Sequence, residues 1–101
     1  MTHDRRRGAD PSLLLLISLA GGPKHGHAML LDIEAFSGQR LGPGTLYGAI
    51  ERLERDALIE PLPADDRRIP YRLTSSGSDY LARRIDGLQQ LAGVGQARIS
   101  A

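Results

Sequence analysis

From Leu13 to Leu19 every position except Ser18 is apolar, so no single stripe can be drawn on a helix there and all its faces need cover. Asp10 followed by Pro11 marks the start of that helix: a capping acceptor, then a ring where a missing N–H costs nothing. Gly21, Gly22 and Pro23 stop it. In so small a domain, a helix apolar all round predicts that a second molecule covers one side. A second helix is expected from about Lys24 or His25, with Met29, Leu30, Ile33 and Phe36 inward, Asp32 and Glu34 towards water, and Ser37-Gly38 as its end. Gly42-Pro43 opens a third, in which Leu46, Ile50, Leu53 and Ala57 share one stripe. Gly44, Gly48, Glu51, Arg52 and Arg55 fall on the opposite side, with Thr45 and Tyr47 on its flanks.

The pattern then changes period. Leu58, Ile59 and Leu62, broken by Pro61 and Pro63, predict a weak edge strand, and Ala64-Asp65-Asp66-Arg67-Arg68 a turn. Ile69, Tyr71 and Leu73 alternate with Pro70 and Arg72, which predicts a second strand with one apolar face and places Tyr71 in the core. Ser76 stands three residues before Asp79, the capping-box spacing, and starts a last helix with Leu81, Ile85, Leu88 and Ala92 on one stripe and Leu91 beside it. Gly87 costs that helix ~1 kcal/mol relative to alanine, so packing must hold it. Residues 1–9, polar and basic with Arg5, Arg6 and Arg7, are expected to form a mobile arm, residues 10–76 the folded unit, 77–92 a partner-binding helix and 93–101 a frayed tail.

Composition narrows the function classes. At 101 residues the chain is one domain, and without cysteine it has no disulfide, zinc finger or thiol nucleophile. His25 and His27 are two apart and do not make an i, i+4 metal pair, His3 lies in the arm, and no nucleophile elbow, phosphate loop or dinucleotide fingerprint is present. No enzyme, metal or cofactor is expected. The apolar run is far shorter than the ~20 residues of a membrane span, so a cytoplasmic protein is predicted. A net charge of +1 does not announce a nucleic-acid ligand, so the positions of the charges must decide. Lys24 is the sole lysine, and the arginine bias fits phosphate and base recognition and a GC-rich genome equally well.

Three helices, a hairpin and a fourth helix, α-α-α-β-β-α in an α+β chain that is mainly α, is the order of a winged helix-turn-helix. Its local residues sharpen this. His25-Gly26, Gly44-Thr45-Leu46-Tyr47, Arg52-Leu53-Glu54, Leu58-Ile59 and Tyr71-Arg72-Leu73-Thr74 followed by Gly77 resemble the PadR family of bacterial transcriptional regulators, over about Leu13 to Leu88. Three departures stand out: His27 where the family often has tyrosine, Ala57 where it usually has glycine, and Asp65-Asp66 before the wing arginines where glycine is common.

The resemblance implies a homodimer of the short family branch, joined through the last helix and helix one, with Leu13, Leu16, Ile17, Leu81, Ile85, Leu88 and Leu91 at the interface. It also implies a regulator, expected to be a repressor, with double-stranded DNA carrying a palindromic operator as its partner. A small apolar or aromatic effector is expected between helix one and the partner's last helix. The DNA-facing candidates are Gly44, Thr45, Tyr47, Gly48 and Arg52 on helix three, and Arg67, Arg68 and Arg72 on the wing. Gly44 permits close approach, first-turn N–H groups suit phosphate, and an arginine fork matches the guanine edge. Against this, Glu51 and Glu54 could pair with Arg52 and Arg55 along a solvated face, and acids at the wing fit a winged helix that binds only proteins. Salt dependence separates the two readings.

Overall fold

The computed structural model describes residues 9–101. Its elements are α1 (Pro11–Ala20), β1 (Lys24–His25), α2 (Gly26–Ser37), α3 (Pro43–Arg55), β2 (Ile59–Pro61), β3 (Pro70–Leu73) and α4 (Ser75–Ser100). The expected arm, with Arg5, Arg6 and Arg7, lies outside the described residues except for Ala9, which exchanges two hydrogen bonds with the Gln39 amide.

α1 starts as its sequence requires, with the Asp10 carboxylate accepting from the Leu13 N–H at 3.3 Å and Pro11 behind it. Leu13, Leu14, Leu15, Leu16 and Leu19 are buried. Their cover comes from the chain itself, since α1 packs against α2, α3, α4 and β3. Of the three α1 residues expected at an interface, Leu13 and Leu16 are buried within the chain and Ile17 is half-buried. Ser18, the one polar position in the run, donates to Asp32 Oδ2 at 2.7 Å. Lys24 completes the group by donating to the carbonyls of Ser18 at 2.6 Å and Gly22 at 3.2 Å, so the sole lysine is a structural tie.

β1 is the element the pattern did not predict. Lys24 and His25 lie antiparallel to Tyr71 and Pro70 in a three-stranded sheet of order β1-β3-β2, making the order α-β-α-α-β-β-α. Two residues cannot show an alternation. They are extended because His25 is the N-cap of α2, at ψ 170°, and because β3 has an open edge beside them. α2 buries Met29 and Ile33 and stops at Gly38 in the left-handed region, as expected, whereas Phe36 in its last turn is 45% exposed.

α3 buries Leu46, Ala49, Ile50 and Leu53. Ala57 does not continue that stripe. The helix ends before it, and Ala57 takes φ 60° while its N–H bonds to Glu54 and the next N–H, of Leu58, to Leu53. Those two bonds make a Schellman end, whose left-handed position favours glycine. The wing follows, with Ile59, Glu60 and Pro61 opposite Leu73, Arg72 and Tyr71. At its tip Asp65 and Arg68 exchange both backbone hydrogen bonds around Asp66 and Arg67, which both have positive φ, a type I′ turn. The apolar face of β3 is shorter than its alternation predicted: Tyr71 and Leu73 pack on the core, and Ile69 is 48% exposed.

α4 is capped by Thr74 rather than Ser76, through a hydrogen bond from the Gly77 N–H to Thr74 Oγ1 at 2.9 Å. The Thr74 hydroxyl donates in turn to the Ala57 carbonyl at 2.7 Å. A Cβ on Gly77 would overlap the Leu58 carbonyl oxygen, so the motif glycine is demanded by contact with a backbone. Leu81, an expected interface residue, is buried within its own chain. The helix runs unbroken through the expected tail to Ser100, where Ala92, Gln96, Ala97 and Arg98 favour helix against Gly93 and Gly95. From Ile85 onward none of its residues is buried. No helix among the described residues is long and apolar enough to cross a membrane.

Candidate nucleic-acid interface

The first turn of α3 is open to solvent. Gly42 supplies no side-chain cap, Pro43 has no N–H, and Gly44 and Thr45 are exposed, so the turn's free N–H groups point outward. A Cβ at Gly44 would meet nothing within 4 Å, so the fold itself does not require glycine there. Tyr47 is 54% exposed, and its hydroxyl rests on Gly26, where a Cβ would come within 2.6 Å of it. The His25-Gly26 and Gly44-Thr45-Leu46-Tyr47 motifs are therefore two sides of one contact.

Arg52 leaves α3 on the outer face, passes Gly48 and donates to Ser12 Oγ at 3.3 Å, so it lies back towards the start of α1. Among the described residues neither Arg52 nor Arg55 pairs with Glu51 or Glu54. The solvated-face pairing weighed for them is absent there. Arg72 differs from the other wing candidates. It faces Glu60 across the β2–β3 ladder and binds its carboxylate at 2.7 Å, so its charge is already matched.

Arg67 and Arg68 turn towards α2 and α3. They line a pocket of about 320 Å³ together with His25, Gly26, His27, Tyr47, Ile69 and Tyr71. No carboxylate lines it: Asp65 and Asp66 shape the turn through their backbone and stand outside the pocket wall. Tyr71 has its phenol pushed above the ordinary range, first by burial, then by the nearby Glu54 carboxylate and Tyr47. The phenol therefore stays a neutral donor. Among the described residues no group of histidines and acids could hold a metal ion.

Of the predicted DNA-facing residues, the structure brings Tyr47, Arg67 and Arg68 to one pocket, with Gly44 and Thr45 at the start of the same helix. Gly48 and Arg52 lie further along α3, and Arg72 is held apart by Glu60. Sequence reasoning missed His25, His27 and Ile69 as pocket walls, because the pairing of β1 with β3 brings together residues far apart in the chain, His25 and Arg68 being 43 apart.

The family model described as "Transcriptional regulator PadR-like family" matches residues 13–83. A transcriptional regulator from Clostridium thermocellum is 26% identical and covers 90% of each chain with a TM-score of 0.78. A PadR family transcription regulator from hypervirulent Clostridium difficile is 24% identical over 83% of this chain and 92% of that one, TM-score 0.76, a likeness of fold. An uncharacterized 37.1 kDa protein in transposon TN4556 of Streptomyces fradiae is 45% identical over 87 residues, 86% of this chain. The chain spans only 25% of that relative's length.

Proposed function

The chain belongs to the PadR-like family of transcriptional regulators, and from that premise we propose that it binds double-stranded DNA as a homodimer on an inverted repeat and represses transcription by occupying the promoter. One observation carries this reading: the outer face of α3, with Gly44, Thr45 and Tyr47 exposed, adjoins a pocket with two arginines from the wing's turn and no carboxylate. A helix of this kind fits the major groove while the hairpin rides on the backbone. Two-fold pairing is supported by the apolar residues that α4 leaves uncovered, Ile85, Leu88 and Leu91. Release by a small apolar or aromatic molecule between α1 and the partner's α4 belongs to the same proposal, with Ile17 as the α1 side chain left to line the crevice.

Selection from random duplex DNA tests it. The selected site should be palindromic, with half-sites about 34 Å apart or a multiple of that. Arg52, freed from Ser12, is the base reader: Arg52→Ala should cost about 1–3 kcal/mol on the selected site and relax preference at one base pair, with little change on random DNA. Selected sequences without symmetry, or binding indifferent to salt, would sink the proposal and favour a protein partner.

A further inference from the structure

Two N–H donors converge on the His25 ring. The Ala28 N–H points at Nδ1 from 3.4 Å and the Arg68 guanidinium at Nε2 from 3.3 Å. A neutral imidazole has one acceptor nitrogen and one N–H, and a charged one has no acceptor. The ring cannot satisfy both contacts in any protonation state. In the tautomer in which Nδ1 accepts the N-cap bond, the proton sits on Nε2 and faces the guanidinium donor to donor; in the other tautomer the N-cap bond is lost instead. An anionic oxygen between Nε2 and the guanidinium removes the conflict, because both groups can donate to it. The surroundings suit such an oxygen: the pocket has His27, Arg67 and the Tyr47 and Tyr71 phenols on its wall, and no carboxylate.

We propose that His25 Nε2 and the Arg68 guanidinium together hold one phosphate of the DNA backbone, in the pocket between the start of α2, Tyr47 and the wing. This rests on the reading of the chain as a duplex-DNA binder. It adds to the α3 candidates a contact made by the first helix of the turn motif, and it makes the wing and α2 one clamp on one phosphate. Like other backbone contacts, it positions the protein on DNA without reading sequence.

The test separates ring, charge and source of phosphate. Long-range proton–nitrogen NMR of the neutral ring should find Nε2 protonated and Nδ1 bare, and a protonated Nδ1 overturns the proposal. His25→Asn keeps an N-cap acceptor but has no group at the Nε2 position. It should leave the thermal melt unchanged and weaken binding to random and selected duplexes alike, about threefold to tenfold. Arg68→Gln should lower the slope of log affinity against log salt by about 0.9 per bound subunit. If the asparagine variant does not fold, the Arg68→Gln slope decides the matter alone. Wild-type binding to duplex with unchanged affinity and slope in both variants overturns the phosphate site and leaves the DNA-binding reading standing. A wild type that binds no duplex overturns both. A saturable shift of the His25 ring signals with inorganic phosphate, while both variants bind duplex normally, reassigns the pocket to a free phosphate and overturns the backbone contact.

Discussion

Leu81 and Leu88 lie two turns apart on nearly the same face of α4, yet Leu81 is 6% exposed and Leu88 44%. The first two turns are held by the chain's own fold: Thr74 caps them, Gly77 lies against the Leu58 backbone, and Leu81 reaches the core. Beyond Ile85 the helix has no buried residue, yet its sequence keeps a seam. Leu81, Ile85, Leu88, Ala92, Gly95 and Ile99 follow at alternating steps of four and three, the spacing of a coiled-coil stripe. Gly87, Gly93 and Gly95 each cost about 1 kcal/mol of helix propensity, and so short a free helical segment is marginal in water. One half of α4 is thus fixed by the subunit's interior, and the other depends on packing that the subunit does not supply.

The anchored half is the more sensitive. Gly77→Ala should force α4 away from the Leu58 carbonyl at a cost of about 3 kcal/mol or more, read as a large fall in thermal midpoint. A variant that melts within a degree or so of the wild type would remove the anchor from the comparison. Leu88→Glu tests the free half: a charge in the seam should raise the dimer dissociation constant at least about tenfold. Circular dichroism should show the domain's α1–α3 core intact in that variant. Sedimentation that finds the wild type monomeric at micromolar concentration would deprive the seam of its partner. The smallest effect lies at the root of the anchor. Ala57→Gly relieves a left-handed alanine of about 1–2 kcal/mol and gives part back as chain entropy, so a net gain of about 0.5–1 kcal/mol is expected in urea unfolding. An unchanged or lowered midpoint would mean that the Schellman end carries no strain.

What could be read from the chain and what could not divides along a physical line. α1 with its Asp10 cap, the Gly38 stop, the buried face Leu46, Ile50 and Leu53, and the β2–β3 hairpin all follow from periodicity and capping within a few residues of one another. Ala57 fell on the α3 stripe because spacing does not register where a helix terminates. The residues after Ala92 read as a frayed tail because glycine propensity is local, whereas the helix there continues to Ser100. β1 depends on an edge offered by residues far along the chain, and so does the meeting of His25 with Arg68. Wing charge was legible and its disposition was not. Only the strand register shows Arg72 matched with Glu60 while Arg67 and Arg68 face a pocket without acids.

The Ser18–Asp32 bond has a consequence for uniqueness rather than for strength. A helix of consecutive leucines is rotationally degenerate: turned by one residue, Leu13 to Ile17 would present the core with much the same volume and oiliness. Hydrophobic burial alone could not choose among such settings. Ser18 breaks the tie, since a rotation that kept it inside but away from Asp32 would leave its hydroxyl unpaired, a penalty of about 1–3 kcal/mol, and one that turned it outward would give up the Asp32 bond. Lys24 strengthens the choice by reading the carbonyl of the same residue. One hydroxyl thereby serves as the address on an otherwise unmarked helix, and the angle at which α2, α3 and α4 are mounted around it is set from that point.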